Sequence, residues 1–313
     1  MAGKAAKTLA GALVTLGLAA LVSYFWFPAF VLDRAKKALR WQAGLGRHTI
    51  QVADHHWVYL EGGKGETILF VHGFGMEKDG WGLFPKAFSR SYRLILPDLP
   101  GFGENSRLES ADYDVPSQVK RLNRFVESLG LDRFHLAGSS MGGYIAGFYA
   151  SEYPEKVKSL ALFNPAGVNS PVPSDMWRRH AEKGDIALLY RTKEGFEEIL
   201  RLLFYRVPPV PGAFKTYFAE LGASNFAFYG KVLRDLEQGG MYQLEPRLSR
   251  VEAKTLVVWG ANDRILHVSG AEIFRKGLRS VKVVILDQCG HVPFFEKRPE
   301  TVKIYKDFLA AVK

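Results

Sequence analysis

Short apolar runs alternate with longer amphipathic stretches along most of the chain. Glu66-Thr67-Ile68-Leu69-Phe70-Val71, Tyr92 to Pro97, Arg133 to Ala137, Thr255 to Trp259 and Ser280 to Leu286 are brief and largely apolar. Runs of that length predict strands, and Glu66 to Val71 and Thr255 to Trp259 have the composition of strands buried on both faces, as in a parallel sheet with helices on either side. His48 to Val52 and His56 to Glu61 read instead as an antiparallel pair opening the sheet. Tyr144 to Tyr153 reads as a helix. Strand and helix patterns alternate through Phe163, which predicts a doubly wound α/β fold. The alternation breaks from Asn164 to Glu245, where Pro165, Pro171, Pro173, Pro208, Pro209 and Pro211 predict short helices. Phe196, Ile199, Leu200, Leu203 and Phe204 form an apolar stripe at helical spacing within that insertion. The stripe suits either the insertion's own core or a lid over an acyl chain.

The N-terminus carries a different pattern. Thr8 through Leu32 is 25 residues without a charge. As a helix it reaches about 37 Å, enough to cross a ~30 Å hydrocarbon layer with some tilt. Tyr24, Phe25, Trp26 and Phe27 suit an interfacial belt, and Pro28 is expected to kink or end the helix. A cleaved signal peptide is the rival reading, but its apolar core is shorter and no small-x-small cleavage site precedes the aromatic cluster. The expected organisation is a single-pass anchor with a basic flank over residues 1–40, then one α/β domain over 41–313 with a helical cap at about 168–246. Trp41 to Gly46 reads as a linker or a short amphipathic helix. Arg34, Lys36, Lys37 and Arg40 outnumber Lys4 and Lys7, which favours a cytoplasmic catalytic domain.

The net charge of +10 suits attraction to an anionic leaflet. It does not indicate nucleic-acid binding, because the charges are dispersed along the sequence and no recognition motif is present. The single cysteine, Cys289, excludes an internal disulfide and a cysteine metal cluster. It is expected to be a small buried filler.

The chemistry centres on Gly138-Ser139-Ser140-Met141-Gly142, between a predicted strand and a predicted helix. A serine there, with glycine two places on either side, has the nucleophile-elbow pattern. Such a turn lifts the Ser140 hydroxyl clear of the sheet and aims a helix N-terminus at the reacting centre. A serine nucleophile needs a base, and of the eight histidines only His291 follows a late strand in a flexible loop, Asp287-Gln288-Cys289-Gly290-His291-Val292-Pro293. Asp263, in Gly260-Ala261-Asn262-Asp263-Arg264 after another buried-type strand, can fix the imidazole tautomer. Asp287 is the rival acid, but it sits on the same strand-to-loop edge as His291. His72 is expected to tie down its loop rather than to react. Gly101-Phe102-Gly103 lacks the third glycine of a dinucleotide fingerprint and reads as a tight turn beside the site.

His72-Gly73-Phe74-Gly75, Asp98-Leu99-Pro100-Gly101-Phe102-Gly103, Gly138 to Gly143, Gly260 to Asp263 and Gly290-His291 together resemble the α/β-hydrolase superfamily over roughly Gln51 to Lys313. Within it, Gln118 to Arg121 with Phe125 to Glu127, Asn164-Pro165-Ala166-Gly167 and Leu266 to Ala271 make the chain most similar to the membrane-anchored monoacylglycerol lipases. The resemblance implies a Ser140-Asp263-His291 triad and oxyanion donors at Phe74 and Met141, with no metal and no organic cofactor. Phe74, Phe204 and Val292 are the expected substrate-binding side chains. The implied substrate is a lipid ester, and the bilayer is the implied partner. Two other readings stay open: a carbon–carbon hydrolase of aromatic meta-cleavage products, and a non-catalytic lipid-binding protein on the same scaffold. Dehalogenases and epoxide hydrolases of this fold use a carboxylate nucleophile, which Ser140 excludes.

Overall fold

The computed structural model describes residues 27–312. Its centre is an eight-stranded sheet in the order β1-β2-β4-β3-β5-β6-β7-β8. The strands are β1 (Leu45–Val52), β2 (His55–Gly62), β3 (Thr67–Val71), β4 (Arg93–Pro97), β5 (Phe134–Ser139), β6 (Val157–Phe163), β7 (Lys254–Gly260) and β8 (Val281–Leu286). β1 and β2 form an antiparallel hairpin, β2 joins β4 antiparallel, and every pairing from β4 to β8 is parallel. All five residues of β3 and all six of β5 are buried, which is why neither shows polar alternation in the sequence. Two cores sandwich the sheet. One contains Trp57, Leu136, Ile145 and Trp259, and the other Phe70, Trp81, Phe163 and Tyr305.

The helices are α1 (Pro28–Ala43), α2 (Val115–Ser128), α3 (Met141–Glu152), α4 (Asp175–Lys183), α5 (Lys193–Leu203), α6 (Gly212–Gly239), α7 (Gly270–Gly277), α8 (Pro293–Glu296) and α9 (Arg298–Ala311). The insertion after β6 holds α4, α5 and α6. Its prolines bound these helices, but α6 is a single helix of 28 residues rather than a chain of short ones. No proline falls between Pro211 and Gly240, so nothing interrupts its hydrogen-bond ladder. Phe196, Ile199 and Leu200 pack with Met176, Ile186 and Leu233, so the α5 stripe forms the insertion's own core.

The expected membrane-spanning run, Thr8 to Leu32, lies outside the described residues except for Phe27 onward. That end belongs to α1. Pro28 starts this helix rather than ending one, as suits a residue with no N–H to lose at the first helical position. α1 continues through Asp33, Arg34, Lys36, Lys37 and Arg40. Among the described residues no helix is long and apolar enough to cross a membrane. α1 is held to the loop after β3 by ion pairs from Lys36 to Glu77 and from Arg40 to Asp79; the latter is bidentate, at 2.7 and 2.6 Å.

Candidate active site

The carboxyl ends of β3, β5, β6, β7 and β8 carry the groups expected to react. β5 ends at Ser139, and Ser140 has φ 56° and ψ −121° before α3 begins at Met141. This left-handed serine is held from three sides. Its N–H donates to the Phe163 carbonyl at 3.0 Å, and its carbonyl accepts from Tyr144 N and Ala166 N, each at 3.0 Å. The turn is too tight for side chains on either flank. A Cβ on Gly138 would stand 2.2 Å from the Gly142 carbonyl oxygen, and one on Gly142 would stand 2.2 Å from that of Val71. A non-glycine residue at positive φ costs roughly 1–3 kcal/mol and persists only when its surroundings enforce it.

The loop leaving β3 passes directly over this turn; a Cβ on Gly73 would lie 3.1 Å from the Ser140 Cβ. His72 anchors the loop from beneath. It is buried, its Nδ1 donates to the Gly73 carbonyl at 2.8 Å, and its Nε2 accepts from Leu99 N at 2.9 Å. Burial lowers its pKa, and these two bonds use both ring nitrogens of the neutral imidazole. The amides of Phe74 and Met141 make no hydrogen bond among the described residues, so both remain free to donate.

Lys78, which begins a short 3-10 turn in the same loop, was not distinguishable in the sequence from a solvated lysine. It is buried, with Nζ 2.9 Å from Asp98 Oδ2 and 2.7 Å from Glu104 Oε1. Burial alone would lower its pKa, but the two carboxylates outweigh that and raise it. The network ties the β3 loop to the turn after β4. That turn contains Gly101-Phe102-Gly103, and the Phe102 ring meets His72 and Phe74 edge-on, at 5.7 and 5.6 Å between centroids.

Asp263 and His291 meet across the ends of β7 and β8. His291 Nδ1 donates to Asp263 Oδ2 at 2.8 Å, and both side chains are buried. That bond assigns the proton to Nδ1 and leaves Nε2 as the lone-pair nitrogen. The carboxylate is held by further donors: Ile265 N at 2.8 Å and Leu266 N at 3.0 Å on Oδ1, and Asn164 Nδ2 at 2.5 Å on Oδ2. Asp287, the rival acid, is exposed and makes no hydrogen bond to His291 among the described residues. Ser140 Oγ has no hydrogen bond among the described residues, so the contact between it and the imidazole is open here. Such bonds often tighten only when substrate binds. Cys289 is buried, and burial pushes its thiol up to about 12, which keeps it protonated and inert.

Ser140 opens on a narrow cavity of about 60 Å³ between the sheet end and the insertion. Phe74, Met141, Trp177, Ile186 and Leu233 line it, and its walls are apolar apart from the serine hydroxyl and the ends of Trp177 and Tyr144. The Tyr144 hydroxyl is already engaged, donating to Gly240 O at 2.7 Å and accepting from Gln243 N. Of the three expected substrate-binding residues, only Phe74 reaches this cavity. Phe204 lies past the end of α5 and packs on the Phe295 ring at 6.0 Å, while Val292 is buried in the lower core with Phe294. Sequence reasoning missed Trp177 and Leu233, which sit on α4 and α6 where no motif marks them. Hydrogen bonds join the insertion to the acid and base loops: Met176 N to Arg264 O at 3.0 Å, Ser174 Oγ to Ile265 O at 2.8 Å, and His291 N to Leu203 O at 2.7 Å.

A profile of the alpha/beta hydrolase fold matches residues 66–298. The chain belongs to that family. Among alpha/beta hydrolases it is similar to monoacylglycerol lipase abhd6-A of Xenopus laevis, 31% identical over 97% of this chain and 94% of that one. It is also similar to Lipase 1 of Psychrobacter immobilis, 34% identical over 80% of each chain. In three dimensions it matches the crystal structure of a membrane phospholipase A described as a bacterial virulence factor, with a TM-score of 0.87, 40% identity and 98% of both chains covered.

Proposed function

We propose that this alpha/beta hydrolase is a serine esterase that cleaves carboxylic esters of lipids, monoacylglycerols foremost. The observation that carries the reading is an apolar cavity whose free reactive group is Ser140, beside a buried Asp263–His291 pair. In this reading His291 Nε2 takes the Ser140 proton as Oγ attacks the ester carbonyl. The resulting imidazolium lies against Asp263. The amides of Phe74 and Met141 hold the oxyanion, each such donor being worth ~3 kcal/mol in the transition state. His291 then protonates the departing glycerol oxygen. The same imidazole activates the water that releases the fatty acid from Ser140.

The cavity is too small for a long acyl chain, since one water alone needs about 10–15 Å³ on the same measure. Substrate entry therefore requires the cavity to widen. Similarity to lipases and to a phospholipase supports a lipid ester over an aromatic carbon–carbon substrate. Membrane attachment through Thr8 to Leu32 belongs to the same proposal, supported by the uncharged length of that run and by similarity to a membrane phospholipase.

A panel of p-nitrophenyl esters, mono-, di- and triacylglycerols and a ring-cleavage dienoate tests the substrate class. Turnover highest on monoacylglycerols is expected; turnover of the dienoate alone would replace the ester reading. Removal of residues 1–26 should release the chain from membranes and leave short-ester hydrolysis intact. A truncated chain that still sediments with membranes would show that the anchor is misassigned or that a second membrane contact exists.

A further inference from the structure

A second concave site shares no lining residue with the cavity at Ser140. It is an open groove of about 490 Å³, floored by Leu83 and Val302 and ringed by Lys86, Arg90, Arg298 and Lys306. All four cations are exposed, and none forms an ion pair among the described residues. No aspartate or glutamate lines the groove. The four come from two places in the sequence, the segment after β3 and the start and body of α9, so their convergence is a product of the fold. Four like charges around one hollow raise the local positive potential, which attracts an anion.

The surroundings identify the anion's carrier. Gln42, the penultimate residue of α1, lines the same groove, and Lys86 Nζ donates to its Oε1 at 3.3 Å. Its neighbour Trp41 is 82% exposed. At 100° per residue Phe30 and Trp41 point within about 20° of each other, with Arg34 between them. Phe30, Arg34, Lys37 and Trp41 are all exposed, with Lys37 paired to the exposed Asp33 at 2.8 Å, while Lys36 and Arg40 turn inward to Glu77 and Asp79. α1 thus shows solvent an aromatic and basic face, the pattern of a helix lying in a bilayer interface. On the groove's other flank Phe295 is 57% exposed beside Gly82, next to Leu83.

We propose that this groove binds the phosphate-bearing headgroup of an anionic bilayer lipid, with Trp41 and Phe295 seated in the interface on either side. The apolar floor takes the glycerol and upper acyl carbons, and the four cations take the phosphate. The site is separate from the catalytic cavity and stands whether or not the esterase reading holds.

The test is calorimetric titration of the full chain in neutral detergent, carrying Ser140→Ala to prevent turnover. The probes are dihexanoylphosphatidylglycerol, dihexanoylphosphatidylcholine and inorganic phosphate. Saturable binding of the phosphatidylglycerol, tighter than either other probe, is expected. Lys86→Gln, Arg90→Gln, Arg298→Gln and Lys306→Gln combined should weaken it at least about tenfold without lowering the melting temperature. With Ser140 restored, the same variant should hydrolyse a short p-nitrophenyl ester at the parent rate. Should the fourfold variant fail to fold, the pair Arg298→Gln and Lys306→Gln on α9 should give a smaller loss in the same direction. Equal binding of both lipids, unchanged binding by the folded variants, or inorganic phosphate binding as tightly as the lipid would overturn the proposal. The last result would mark a free-anion site.

Discussion

Asn164 Nδ2 donates to the same Asp263 oxygen that faces His291, at 2.5 Å. Asn164 is fully buried and holds φ 45°, a left-handed conformation that a short amide side chain tolerates better than most. Its N–H donates to Val258 O at 2.9 Å, and its Nδ2 also reaches Gly290 O at 3.3 Å. The residue after β6 therefore clamps the ends of β7 and β8 while orienting the carboxylate between them.

Asn164→Ala removes a hydrogen bond to a buried carboxylate. Bonds to charged groups are worth roughly 1.5–3 kcal/mol, so kcat on a short ester should fall about ten- to a hundredfold. KM should change little, because Asn164 does not line the cavity. Steady-state kinetics check this; a rise in KM at constant kcat would assign Asn164 to substrate binding instead.

Gly142→Ala should destabilise the fold and abolish activity together. Its Cβ would meet two backbone carbonyls, Val71 O at 2.2 Å and His72 O at 2.3 Å, and neither can move without displacing β3. A cost of at least about 2 kcal/mol is expected, seen as a drop of roughly 5 °C in the thermal midpoint. A variant that melts at the parent temperature would show that the elbow is slacker than its contacts imply.

The parts that the sequence made legible are those where the backbone itself demands a residue type. Ser140 is flanked by Gly138 and Gly142 because a methyl group at either place would overlap a carbonyl oxygen. The strands β3, β5 and β7 announce themselves because burial on both faces removes polar alternation. The cap was legible only as a break in that rhythm. Its helices are fixed by packing against each other, which left α6 to be misjudged as several pieces and Trp177 unmarked. Phe204, from the insertion's apolar stripe, and Val292, beside His291, were expected at the substrate, yet neither lines the cavity: Phe204 packs on Phe295 and Val292 in the core with Phe294. Lys78 could not be read at all, since its partners Asp98 and Glu104 arrive from a different loop. The paired aspartate and histidine were legible as residue types after particular strands, whereas Asn164 looked like one polar residue in a turn.

Trp177→Ala opens the cavity wall on the cap side. The ratio of kcat/KM for long-chain over short-chain p-nitrophenyl esters should rise at least about tenfold, the low end of what one added methylene in a hydrophobic pocket is worth. An unchanged ratio would place the acyl chain elsewhere.

Acid stability should depend on Glu104. Burial would raise its pKa, but hydrogen bonds from Arg47 and Lys78 more than offset this and hold it at about 2, against an ordinary value of 4.5. A carboxyl depressed in the folded state stabilises it fully above the unfolded pKa, and that contribution is lost as pH falls from about 4.5 toward about 2. Glu104→Gln should therefore lower the melting temperature at neutral pH and shrink the difference from the parent as pH falls through that window. The side chain is partly exposed, so solvent screening limits the effect. Melting curves that stay parallel from pH 7 to about 2.5 would contradict the depressed carboxyl.

The most direct measurement is labelling of the full chain with a fluorophosphonate, followed by mass spectrometry of the adduct. Ser140 should carry one covalent phosphonyl group, Ser140→Ala should carry none, and His291→Ala should label at a small fraction of the parent rate. Undiminished labelling of Ser140→Ala, or a parent chain that does not react at all, would show that the hydroxyl on this turn is not the nucleophile.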